Sequence, residues 1–148
     1  LIVNIKIRTA NGQNLFIKQL VVSRYGLFLI ETCHYRSTIY GSNHQVKWLS
    51  EGKRHSTVFI NPSMAHKPSC VILAEYLQIP LKVIEVISVF TGNSKLPIPL
   101  PKNSCKTDSL IKSIAEHKTV RINPSLLPDI ILLLQSDRRS LDPQINKS

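Results

Sequence analysis

The chain has 148 residues, 43% of them hydrophobic, with 19 Lys and Arg against 9 Asp and Glu and a formal net charge of +10. This length suits one domain with a sizeable core, and the apolar share makes a folded chain, not a disordered one, the default reading. The basic excess favours acidic partners, nucleic acid first and an anionic membrane surface second.

The charge is unevenly spread. Before residue 70 the acids are Glu31 and Glu51, against Lys6, Arg8, Lys18, Arg24, Arg36, Lys47, Lys53, Arg54 and Lys67, and no Asp precedes Asp108. Divalent-metal sites for phosphoryl chemistry need converging carboxylates, so this half is poorly supplied for one. Cys33, Cys70 and Cys105 are odd in number and widely spaced, which gives neither a disulfide framework nor a zinc pattern and points to a reducing, cytoplasmic setting. Arg24 and Tyr25 interrupt the best apolar stretch, so no membrane span is expected, and no signal peptide is visible. The chain opens at Leu1 directly in strand-like sequence, as a fragment or a processed product lacking a preceding segment would.

In chain order, alternating apolar residues predict a strand over Ile2 to Thr9. Asn11-Gly12 signals a tight turn, and a second strand follows over Leu15 to Val22. Ser23-Arg24-Tyr25-Gly26 turns the chain into a third strand, Leu27 to Cys33, whose apolar start suits a strand covered on both faces. These three make an antiparallel meander. Shorter strands are expected at Ser37 to Tyr40, Val46 to Leu49 and Ser56 to Ile60, the last two flanking the loop Glu51-Gly52-Lys53-Arg54.

Asn61-Pro62 pairs an N-cap residue with a first-turn proline, predicting a helix to about Gln78 that Pro68 either kinks or restarts. Val83 to Phe90 reads as a buried strand and Thr91 to Lys102 as a Pro-rich loop with one short extended piece. Thr107 to His117 reads as a helix with Leu110, Ile111 and Ile114 on one face, and Thr119 to Ile122 as a short strand or extended link. Asn123-Pro124 repeats the helix-start signal ahead of Leu126 to Leu134. Residues 136–148 read as a polar, frayed tail expected after a domain of residues 1–135. The order is that of an α/β domain, α+β in arrangement, with a mixed sheet flanked by helices.

Glu31 follows four apolar residues on the most buried strand, where an unpartnered carboxylate is costly. The stretch from Phe16 to Cys33, centred on VVSRYGLFLIET, resembles the core of the nuclease-related domain (NERD) family. The resemblance continues through Tyr35, Ile39-Tyr40-Gly41-Ser42 and Gln45 to Trp48, and returns at Asn61-Pro62 and from Val86 to Phe90 with Gly92. It implies a restriction-endonuclease-like core of the PD-(D/E)XK type and Mg²⁺-dependent DNA cleavage. In that pattern an Asp and a Glu-x-Lys frame the turn, the carboxylates hold the metal, and the Lys positions water or stabilises charge.

Glu31 is the retained catalytic position. Lys18 stands at the Asp position, Cys33 at the Lys and Ala65 at a Gln after the Asn-Pro pair, and the family's N-terminal helix is absent from the sequence given. At an effective dielectric near 20, a Lys about 4 Å from a Glu gains roughly 4 kcal/mol before desolvation, so a Glu31–Lys18 ion pair is expected in place of a metal.

Other candidates weigh less. Cys33 and His34 are neighbours on a strand and face opposite ways, which disfavours a thiol dyad. His34, His44, His55 and His66 match no ligand spacing and read as surface histidines. Trp48 could stack a base, but a core or half-buried strand position is favoured. Lys18, Arg24, Arg36, Lys47, Lys53 and Arg54 are the expected nucleic-acid contacts.

Three readings stand. The leading one is a catalytically inactive nuclease-fold domain, without a metal cofactor, that binds DNA through a basic face. The second is an active Mg²⁺-dependent nuclease completed by a preceding segment or a partner chain, with Glu51, Glu75 or Glu85 brought in as the further acid. The third is a structural or interaction module with no nucleic-acid role. DNA or RNA and the oligomeric state stay open.

Overall fold

The computed structural model describes residues 1–35 and 37–140, the last five by backbone alone. The predicted meander forms as β1 (Ile2–Arg8), β2 (Asn14–Ser23) and β3 (Gly26–Cys33), paired antiparallel. Three short strands follow, β4 (Thr38–Tyr40), β5 (Lys47–Glu51) and β6 (Ser56–Ile60). After α1 (Pro62–Ala65) and α2 (Lys67–Leu77) come β7 (Ile84–Phe90) and β8 (Ser104–Lys106), then α3 (Leu110–Ala115) and α4 (Leu127–Ser140). The main sheet has the order β1-β2-β3-β7-β8, with β7 and β8 parallel, so the expected mixed sheet with helices is present. The expected short strands β4, β5 and β6 pair with one another as a second, three-stranded antiparallel sheet, an arrangement that the sequence reading did not specify.

The chain divides into two compact units. The first comprises Leu1–Leu29, Pro68–Glu85 and Lys118–Ser148. Here Ile5, Ile7, Leu15, Ile17 and Leu20 are buried and α4 lies against β1 and β2 with Ile130 and Leu134 buried. The alternation of β1 slips once: Ile2 and Ile5 are both buried, and Asn4 between them takes a left-handed φ of 54°. Asn tolerates that conformation better than most residues, so the strand can change its buried face there. The β2–β3 turn is held by the Ser23 hydroxyl, which donates to the Gly26 carbonyl (3.0 Å) and accepts from the Tyr25 N–H (3.2 Å).

Against that turn packs the segment Thr119 to Ile122, expected as a short strand or an extended link. It is the link and not the strand, since its N–H groups at Arg121 and Ile122 both go to the single carbonyl of Arg24, at 2.8 and 3.1 Å, rather than to a strand ladder. The Arg121 side chain reaches the Tyr25 carbonyl (2.6 Å), the Lys82 carbonyl (3.1 Å) and the Glu85 carboxylate (2.7 Å), and lies over the Phe28 ring. Gly26 makes this possible: its φ is 140°, and a β-carbon there would overlap the guanidinium and stand 2.9 Å from the Val83 carbonyl.

The second unit comprises Ile30–Lys67 and Val86–His117. Its core holds Cys33, Ile39, Trp48 and Phe90, with Tyr35, Phe59 and Leu96 packed against them. Asn61 caps α1 as predicted, its Oδ1 accepting from the Ser63 N–H at 3.1 Å. Its Nδ2 points at the carbonyls of Gln45 (3.1 Å), Asn43 (3.3 Å) and Ser42 (3.5 Å), so one buried amide ties the helix start to the β4–β5 connection. The expected long helix breaks at His66 and restarts at Lys67, so Pro68 marks the first turn of α2.

Two further expectations change. Ile111 is exposed rather than packed, because a 3-10 turn (Thr107–Ser109) precedes α3 and shortens it to six residues. Strand β8 lies just beyond the Pro-rich loop, and three residues carry too little pattern to be seen in advance. Helix α4 runs to Ser140, five residues into the stretch expected as tail, and residues 141–148 and Arg36 lie outside the described residues.

Candidate functional site

Glu31 sits near the end of β3, where the fully buried run Leu27-Phe28-Leu29-Ile30 gives way to a half-exposed position. Its carboxylate meets His66 Nε2 at 3.1 Å, with the two side chains about one-third exposed (35% for Glu31, 30% for His66). The expected ion-pair partner was Lys18, which instead projects from β2 as an exposed side chain between buried Ile17 and Leu20. His66 is missed from sequence because it matches no ligand spacing. Its place follows from geometry, since α1 ends after Ala65 and the helix break holds the next residue toward Glu31. Ala65 itself is exposed.

Cys33 shares a face with Glu31 but points into the core beside Ile39, Trp48 and Phe90. Burial, and secondarily the Glu31 carboxylate, push its thiol pKa up to about 12. His34 turns away, its Nδ1 2.9 Å from Thr91 Oγ1, so the Cys–His dyad is not formed. Burial also raises the Cys70 thiol to about 11, and Cys105 shifts the same way, so all three cysteines are free, buried and protonated near neutrality.

This yields a prediction. In the native protein none of the three should react with a thiol reagent near pH 8, and all three should react once unfolded. The linkage has a definite sign: each folded thiol holds its proton more tightly than the ordinary value of 9.0, so stability is undiminished below pH 9. It falls as pH rises from 9 toward 11 for Cys70 and 12 for Cys33. A melting temperature that climbs over that window would contradict these burials.

Near Glu31 the side chains are an imidazole already engaged, a buried protonated thiol and the Tyr35 phenol, whose pKa burial raises further above its ordinary value. Mg²⁺ takes hard oxygen ligands in near-octahedral array, so this set does not fit it. Among the described residues no group of three or more His, Cys, Asp or Glu is placed to hold a metal ion. Of the acids considered as late arrivals, Glu85 is bound by Arg121, while Glu51 and Glu75 are exposed on β5 and α2.

The basic candidates are exposed, where they are described. Arg24 lies 5.2 Å over the Tyr25 ring at the β2–β3 turn. Lys47 opens β5, and Lys53 and Arg54 occupy the β5–β6 hairpin turn, closed by Gly52 N–H to the His55 carbonyl at 2.9 Å. Trp48 is buried at 3% exposure, so it belongs to the core and is not a stacking platform.

A meander that delivers a carboxylate at the end of a doubly covered strand, in a mixed sheet with helices, is the architecture of the restriction-endonuclease-like nuclease folds. The particular family follows from the sequence profile of the nuclease-related domain (NERD), which matches residues 1–91, and the chain belongs to that family. The match spans β1 to the end of β7, Glu31 and His66 included. No curated protein and no solved structure matches the chain significantly.

Proposed function

We propose that this is a cytoplasmic, non-catalytic member of the nuclease-related family that binds nucleic acid through exposed basic residues. The observation that carries the reading is the state of Glu31: its carboxylate is engaged by His66, and the neighbour two residues on is a buried thiol rather than a lysine ammonium. In the family's pattern the carboxylates hold the metal and the Lys manages water and charge. Here Lys18 and Cys33 stand at the positions of the Asp and the Lys, so neither attack nor leaving-group charge has its usual support. What the chain keeps is charge, +10 overall, with Lys18, Arg24, Lys47, Lys53 and Arg54 exposed and Arg36 a further cation in the sequence.

The test is a paired binding and cleavage assay on DNA with Mg²⁺ and with Mn²⁺, across a salt series. Binding that weakens steeply with salt, and no cleavage beyond that of Glu31→Ala, is expected. Metal-dependent cleavage abolished by Glu31→Ala would replace this reading with an active nuclease. Absence of binding at low salt would replace it with an interaction module.

A further inference from the structure

The three-stranded sheet of the second unit has two unlike faces. Trp48 and Ser50 of β5 face the core, at 3% and 5% exposure. The alternate residues face solvent. There the register builds three rows across the strands. The central row is Tyr40–Leu49–Val58, with Tyr40 51% and Val58 62% exposed. On one side lies Lys47 opposite Ile60, and on the other Thr38, Glu51 and Ser56, extended by Lys95, which bridges Thr38. The hairpin turn beyond that second row carries Lys53 and Arg54. An exposed apolar row with an aromatic at one end is thus bordered on both sides by cations: among the described residues, Lys47, Lys53, Arg54 and Lys95 against the carboxylate of Glu51.

We propose that this outer face is a stacking platform for single-stranded nucleic acid, with a base on Tyr40, the neighbouring base or sugar on Leu49 and Val58, and phosphates along the flanking cations. The inference rests on the nucleic-acid reading above and specifies its ligand. A single strand exposes base faces, whereas a duplex hides them and would leave the apolar row without a partner. Rows two residues apart on a strand are roughly 7 Å apart, so bases and phosphates can follow different rows at once. Charge also argues against a second copy of the chain on this face, since each copy brings a net three positive charges to it.

The experiment is fluorescence anisotropy with labelled oligothymidylate and with a duplex of equal length, on the whole chain. The single strand is expected to bind several-fold more tightly than the duplex. Tyr40→Ala should lose about tenfold on the single strand and nothing on the duplex, while Tyr40→Phe keeps the affinity. Lys53→Ala with Arg54→Ala should weaken both ligands and lower the salt slope on the single strand by about 1.4, as expected for two phosphate contacts.

Tyr40 is half exposed, so its variants are expected to fold, which an unchanged melting temperature checks. Tighter duplex binding, or indifference of the single strand to Tyr40→Ala, would overturn the platform while the salt-dependent basic face survives. Failure of the wild-type chain to bind either ligand would overturn both. Concentration-dependent self-association abolished by Val58→Lys would assign the face to a second copy and also overturn the platform.

Discussion

Replacing Arg121 by alanine is expected to destabilise the protein by about 2–4 kcal/mol, measured by chemical denaturation. The side chain is 24% exposed and its partner Glu85 15%, so the pair is largely withdrawn from solvent, and the two backbone carbonyls it serves lie on different segments. Truncation removes three hydrogen bonds and the contact over Phe28 at once. Arg121→Lys should recover little, because one ammonium cannot reproduce a planar fork that meets three acceptors in separate directions. Gly26→Ala should produce a comparable loss by a different route, since its methyl would displace the guanidinium and its φ of 140° is strained for any residue with a β-carbon. A loss below about 0.5 kcal/mol for Arg121→Ala would place this side chain among ordinary surface cations.

Arg121 also marks where sequence reading stops. The strands β1, β2 and β3 were legible because alternation and turn chemistry are local: Asn11-Gly12 and Ser23 to Gly26 specify their connections within a few residues. The helix start at Asn61-Pro62 was legible for the same reason. The role of Arg121 depends on Tyr25, Lys82 and Glu85, up to 96 residues away, and nothing near position 121 announces it.

The site divides the same way. That Glu31 needs a partner follows from the apolar run before it, but which partner follows from where α1 breaks, and so His66 rather than Lys18 meets it. The three short strands of the second unit were read in place, but their pairing as a separate sheet was not, because strand alternation fixes an element and not its neighbours. Its register, once known, makes a face out of Tyr40, Leu49 and Val58, residues that looked unrelated in the sequence.

Trp48→Ala is expected to be the most damaging single change in the second unit, at about 3–5 kcal/mol. The indole is nearly fully buried, donates its N–H to the Ser42 carbonyl at 3.0 Å, and packs beside Phe90 (centroids 6.4 Å apart) and edge-on to Phe59 (6.1 Å). Gly41 lies so close over the ring that any added β-carbon would overlap it, so the neighbouring backbone cannot simply be held in place by a larger residue. Trp48→Phe keeps most of the apolar contact, loses the hydrogen bond and leaves a small void, and should cost roughly half as much.

Trp48 is the single tryptophan of the chain, so unfolding of the alanine variant is best followed by circular dichroism. The pair of variants also separates core from ligand contact. If Trp48 acts through packing alone, folded Trp48→Phe binds single-stranded nucleic acid as wild type does, while Tyr40→Ala, on the opposite face of the same sheet, does not. A folded Trp48→Phe that lost binding would mean that the indole, and not the outer row, carries the ligand.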